Sequence, residues 1–212
     1  MSTDLTFITN EENQNLLERF NVLIKDTRFF DVLVGYFYSS GFYRLYQSLE
    51  NTEKIRVLIG ISTNKQVLDL IKQSRVPVQT SFQFSYAEVK EQFSDTIASE
   101  MAVSEDDANI EQGVYKFIDW LKSGKLELKA YPSENIHAKL YIMTFAEGDR
   151  DAGRVITGSS NFTSAGLVEN LEFNVELKNR SDYEFAHAKF NELWENAVDV
   201  GEKYLETIRT KT

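Results

Sequence analysis

Apolar side chains recur at Leu16, Leu17, Phe20, Leu23 and Ile24, so residues 12–26 predict an amphipathic helix. The period then changes. D-V-L-V-G-Y-F-Y (31–38) is a β-rich run, and the turn Ser39-Ser40-Gly41 leads into the helix-like F-Y-R-L-Y-Q-S-L. K-I-R-V-L-I-G-I (54–61) predicts a buried strand and N-K-Q-V-L-D-L-I-K-Q a further helix. Residues 82–99 and 108–123 predict two helices joined by Ser104-Glu105-Asp106-Asp107, with Phe117, Ile118 and Trp120 giving the second an apolar side. This pair is expected to be an insertion, around 82–123, or a subunit contact. Strands return at 125–132, 136–145, 154–162 and 171–179, and Y-E-F-A-H-A-K-F-N-E-L-W-E-N-A-V (183–198) is helix-periodic. Neither a repeat nor a low-complexity tract is present. The β-α-β-α opening and the later strands predict an α/β sheet with helices packed on it, as a single domain over 1–212.

The three central late strands alternate polar and apolar positions. His137, Lys139 and Tyr141 share one face, opposite Ile136, Ala138, Leu140 and Ile142. Thr157, Ser159 and Asn161 oppose Ile156, Gly158 and Phe162; Glu172, Asn174 and Glu176 oppose Leu171, Phe173, Val175 and Leu177. If these strands are neighbours, His, Lys, Asn, Ser and Glu converge on one patch. The same alternation also suits a sheet with one face in water. A His-Lys pair two residues apart is an unusual choice for a plain exposed strand, and Gly158-Ser159-Ser160-Asn161 permits close backbone approach to a ligand. Of the 2 histidines, only His137 lies in a strand pattern; His187 falls in the last helix and is expected to pack or face solvent.

Charge and composition narrow the chemistry. The chain carries −10, but residues 82–112 hold eight acids against one base, so that segment accounts for −7 and the remainder for −3. This argues against loose electrostatic binding to a polyanion without excluding phosphodiester substrates. With 0 Cys, disulfides, thiolate metal sites and cysteine nucleophiles are excluded. No apolar run reaches the ~18 residues that span a bilayer, and the first residues lack a basic start and apolar core, so a cytoplasmic protein without membrane contact is expected.

N-I-H-A-K-L-Y, then V-I-T-G-S-S-N-F-T-S-A-G-L, then E-N-L-E-F-N-V-E-L, together resemble the His-Lys-Asn signature of the phospholipase D superfamily. The likeness is greatest to its single-motif nuclease branch, including modules of restriction enzymes and helicase-linked proteins. It covers residues 134–178, and the blocks at 31–42 and 54–61 look like the first strands of such modules. One position departs: the superfamily has an Asp five residues after the Lys, where this chain has Thr144.

The resemblance implies a phospholipase D-like mixed sheet and a metal-independent phosphodiesterase, expected to be a DNA endonuclease. His137 would be the nucleophile, forming a phosphohistidine, with Lys139 and Asn161 on the non-bridging oxygens and Glu172 orienting the imidazole; Glu176 is the second choice. Ser159, Ser160 and Thr163 would bind substrate. No cofactor or metal is expected. The chain holds one H-A-K block of this kind, so the resemblance implies a homodimer with a composite site. DNA is the expected partner, and a C-terminal helicase, ATPase or recognition domain is allowed for in a longer protein. The rival readings are a non-catalytic nucleic-acid-binding or dimerisation module and a lipid or small-molecule phosphodiesterase.

Overall fold

The computed structural model describes residues 6–11, 15–35, 37, 39–60, 108–131 and 136–201. Among them the chain runs β1 (Phe7–Ile8), α1 (Leu16–Leu23), a 3₁₀ turn (Ile24–Asp26), β2 (Thr27–Val34), α2 (Ser39–Leu45), a second 3₁₀ turn (Ser48–Asn51) and β3 (Lys54–Gly60). It continues with α3 (Ala108–Ser123), β4 (Leu126–Tyr131), β5 (Lys139–Phe145), β6 (Gly153–Gly158), a π-helical turn (Ala165–Glu169), β7 (Asn174–Leu177), α4 (Arg180–Glu195) and β8 (Val198–Asp199). The helices predicted at 64–73 and 82–99 lie outside the described residues.

Among the described residues eight strands form one mixed sheet in the order β1-β7-β6-β5-β2-β3-β4-β8. The β2, β3 and β4 strands are parallel, whereas β5 is antiparallel to both β2 and β6. Helices cover both faces, giving three layers. On one side α1, α2 and α3 bury Leu16, Phe20, Phe42, Leu45, Phe117 and Trp120 against Val32, Val57, Leu128, Tyr141 and Ile156. On the other, α4 packs Tyr183, Ala186, Phe190 and Trp194 onto Leu33, Leu58, Ile142 and Val155. This double cover explains why β2 and β3 read as nearly continuous apolar runs rather than as an alternation. It also means that the face carrying Tyr141 is the interior of the larger core, not a solvated surface.

Several boundaries moved. The β2 strand begins four residues before the expected start, because Thr27, Phe29 and Phe30 find partners along β5, and it ends at Val34, before Gly35. The segment read as strand 154–162 stops at Gly158, and that read as 171–179 shortens to Asn174–Leu177. The α3 helix matches its predicted range, but it belongs to the main core: Phe117 and Trp120 stand against Phe42 at 5.0 and 5.4 Å between ring centroids. Among the described residues no helix is long and apolar enough to cross a membrane.

Candidate active site

The register brings the motif residues to one end of the sheet. Val34 at the carboxyl end of β2 pairs with Lys139 at the amino end of β5. Leu140 pairs with Thr157 near the carboxyl end of β6, and Gly158 pairs with Asn174 at the start of β7. His137, Lys139, Ser159, Asn161 and Glu172 therefore gather where the parallel strands end, the usual position for ligands in α/β sheets.

Two glycines admit the chain that carries His137. A Cβ on Gly60 would lie 2.4 Å from the Ile136 carbonyl oxygen, and one on Gly35 would lie 3.1 Å from the same atom and 3.6 Å from His137 Cα. Sequence reading passed over both as ordinary strand residues. Their signal was a glycine closing each of two apolar runs, V-L-V-G and V-L-I-G.

His137 precedes β5, so it is not itself a strand residue, and its side chain is exposed. Lys139 is only 9% exposed. Its Nζ stands 3.3 Å from His137 Nδ1, 3.5 Å from Nε2 and 3.4 Å from the His137 carbonyl oxygen. Among the described residues no carboxylate comes within ion-pair distance of this ammonium. A buried charge ordinarily has a counter-charge; here a buried ammonium able to attract an anion stands beside an exposed imidazole.

The Gly-Ser-Ser-Asn-Phe-Thr segment divides its labour. Ser160 is fully buried: its Oγ donates to the Gly166 carbonyl at 2.8 Å and accepts from Asn174 Nδ2 at 2.8 Å, while its N–H donates to Asn174 Oδ1 at 3.2 Å. Thr163 Oγ1 accepts from the Gly166 N–H at 2.9 Å and closes the π-helical turn. Phe162 and Leu167 are core residues. Ser160 and Thr163, expected to contact substrate, are thus committed to the fold. Asn161 is half-buried, and its Oδ1 is buried without a hydrogen-bond partner among the described residues. The loop is braced from below, where the Tyr141 hydroxyl donates to the Ser160 carbonyl at 2.8 Å. Burial pushes the Tyr141 phenol well above its ordinary value, so it stays a neutral donor.

The carboxylates differ from expectation. Glu172 accepts from Ser159 Oγ and, at 3.4 Å, from Asn170 Nδ2; it makes no bond to His137. Ser159 Oγ also accepts from the Phe173 N–H at 3.0 Å, so this serine holds Glu172 in place. Glu176, 1% exposed, is taken by Arg19 at 2.6 and 2.8 Å with Arg154 Nε at 3.4 Å, which removes it as an alternative. Thr144 sits near the far end of β5, roughly 17 Å from Lys139 at about 3.3 Å per residue, where its Oγ1 meets the Tyr183 hydroxyl at 2.9 Å. The position of the missing Asp is therefore remote from Lys139 and His137. His187 stacks on Tyr183 with ring centroids 5.6 Å apart, a packing role.

A family model described as cardiolipin synthase, PLD-like domain, matches residues 22–194. The chain belongs to the phospholipase D-like domain family. Among solved structures, Nuc, a phospholipase D family member from Salmonella typhimurium, is 14% identical; the match covers 91% of this chain and 95% of Nuc with a TM-score of 0.50. Phosphatidylserine synthase from Haemophilus influenzae is 13% identical over 95% of this chain, with a TM-score of 0.52. TrmBL2, an archaeal chromatin protein, is 16% identical over 93% of the chain, with a TM-score of 0.44. The chain spans 55% of the length of TrmBL2 and 40% of that of the synthase. Comparison with curated proteins returns no match. At these identities the likeness is one of fold, and the phospholipase D-like sheet places the His-Lys-Asn residues at its carboxyl end.

Proposed function

We propose that this phospholipase D-like domain is a metal-independent DNA endonuclease that works through a phosphohistidine at His137 in a dimeric site. The observation that carries the reading is the buried ammonium of Lys139, with no carboxylate partner among the described residues, against the exposed imidazole of His137. A phosphodiester is an anion that satisfies the first while presenting phosphorus to the second. The motif's likeness to the nuclease branch favours DNA over a lipid as the substrate.

In this mechanism His137 attacks phosphorus, forming a P–N bond as the P–O bond to the leaving oxygen breaks. Lys139 and the Asn161 amide neutralise charge on the non-bridging oxygens, an effect worth about 10²–10³ in rate per donor. The leaving oxygen takes its proton from the imidazolium of a second copy's His137. That imidazole then removes a proton from water as the water attacks phosphorus and the P–N bond breaks, restoring both groups. Glu172 orients the His137 imidazole in the substrate complex, exchanging its bond to Ser159 for one to the ring, since catalytic hydrogen bonds often tighten only there. The site is isologous about a two-fold axis.

Cleavage of plasmid and single-stranded DNA in excess EDTA, with His137→Ala in parallel, tests the proposal. The expected result is EDTA-resistant cutting lost in a folded His137→Ala variant. Cutting that survives the substitution refutes the nucleophile. No cutting by a folded dimer replaces the enzyme with a binding module.

A further inference from the structure

We propose that Arg44 forms a second phosphate-binding position next to the reacting one, which makes the substrate a polyanion with successive phosphates rather than an isolated diester. The inference rests on the phosphodiesterase reading above and adds the substrate class.

Arg44 lies on α2, whose first turn is pressed against the catalytic loop: a Cβ on Gly41 would stand 2.5 Å from the Phe162 carbonyl oxygen. The Ser164 N–H donates to Ser40 Oγ at 3.3 Å, and Arg44 Nε donates to Ser164 Oγ at 3.0 Å. Helical side chains lean toward the helix N-terminus, so Arg44 reaches back over Ser40 toward this loop, not away from it. Ser164 is three residues beyond Asn161, at most about 10 Å of chain. The guanidinium is therefore tethered within about a nucleotide's reach of the amide assigned to the scissile phosphate.

Its bonding is incomplete in a telling way. Among the described residues only Nε is engaged, so the two terminal nitrogens have no partner there and no carboxylate pairs with them. Among the described residues most other guanidiniums are neutralised. Arg19, Arg28, Arg56, Arg154 and Arg180 each hold a carboxylate, on Glu176, Glu53, Asp31, Asp151 and Glu184 respectively, at distances of 2.5, 2.6 or 2.7 Å. Arg150 is in the loop after β5, at the opposite end of the sheet. Arg44 thus combines exposure, a free fork of donors and proximity to the site. A planar fork suits phosphate in a way that an ammonium does not.

The test compares two substrates. One is bis(4-nitrophenyl) phosphate, which has a single phosphate, and the other is a single-stranded oligonucleotide. Arg44→Gln is expected to raise KM about tenfold for the oligonucleotide, the loss of one charge-assisted contact, with kcat nearly unchanged and KM for the small diester unaltered. Arg44→Lys should recover part of the loss. In fluorescence-anisotropy titrations Arg44→Gln should lower the slope of log affinity against log salt by about 0.7. Equal losses on both substrates would mean that Arg44 merely braces Ser164, and would overturn the proposal; no change on either would do the same. If neither substrate is turned over, the phosphodiesterase reading fails separately, and the titration still decides Arg44. A wild-type protein that binds no oligonucleotide, or an unaltered salt slope, removes the assignment.

Discussion

Arg56 and Lys139 are two cations on the strands flanking β2, and the fold treats them in opposite ways. Arg56 is sealed. It meets Asp31 through two bonds of 2.6 Å, and its guanidinium lies 4.9 Å from the Phe190 ring centroid and 5.4 Å from that of Trp194. Burial pushes the Asp31 carboxyl up from its ordinary value, and the Arg56 bonds pull it back. Lys139 is as deeply placed, yet its nearest polar neighbour is a histidine ring. A buried charge with its partner inside the protein belongs to the architecture; one with no counter-charge among the described residues is available to an anion from outside. The position of each follows: Arg56 lies mid-strand beneath α4, and Lys139 lies at the strand end where a ligand has access.

The comparison breaks most visibly through paired substitutions. Lys139→Met should reduce DNA cleavage by about 10²–10³-fold or more and leave stability unchanged or raised, since an unpaired buried charge has been removed. Arg56→Met should cost about 3–5 kcal/mol by leaving Asp31 buried and alone, with turnover per folded molecule unchanged. Denaturant titration and single-turnover cleavage together separate the two. If Lys139→Met unfolds the protein and Arg56→Met does not, the contrast is wrong.

Smaller effects sharpen the same division. Gly60→Ala forces a methyl against the Ile136 backbone and displaces His137; a shift near 1 Å is expected to lower turnover about 10²-fold. Tyr141→Phe leaves the Ser160 carbonyl unpaired in the core, costing about 1–3 kcal/mol, and slackens Asn161, so kcat should fall while the chain still folds. The smallest effect belongs to Thr144→Ala. Losing one half-buried bond to Tyr183 costs about 1 kcal/mol, and cleavage should be untouched. A Thr144→Ala variant with impaired cleavage would return that position to the site.

The helix at 108–123, the strands at 54–60 and 126–131 and the last helix were all legible, because each has a clear period and a flanking turn residue. Glu172 and Asn161 were legible as residue types at a given spacing. Their partners were not. Strand alternation assigned Ser159 and Asn161 to one pleated face, but the ladder ends at Gly158, and beyond it side-chain direction follows local turns rather than period two. Leu171 and Phe173, placed by alternation on the core side, are 64% and 63% exposed, while Asn174 and Glu176 are buried. Edge-strand pairing and the Arg19 and Arg154 guanidiniums decided this, and both come from distant parts of the chain.

By itself the sequence determined the kinds of element, their order, and the chemical groups available: one histidine two residues before its lysine, and a Gly-Ser-Ser-Asn loop followed by a glutamate. These are local properties, carried by hydrophobic period and residue type. Only the tertiary structure decided which polar groups were already satisfied. Ser160, Thr163 and Glu176 are consumed by Gly166, Asn174, Arg19 and Arg154, and Thr144 is carried to the far end of the sheet, whereas Lys139 is buried with no counter-charge among the described residues. Desolvation and pairing depend on what packs against a residue from elsewhere in the chain, and periodicity contains no record of that.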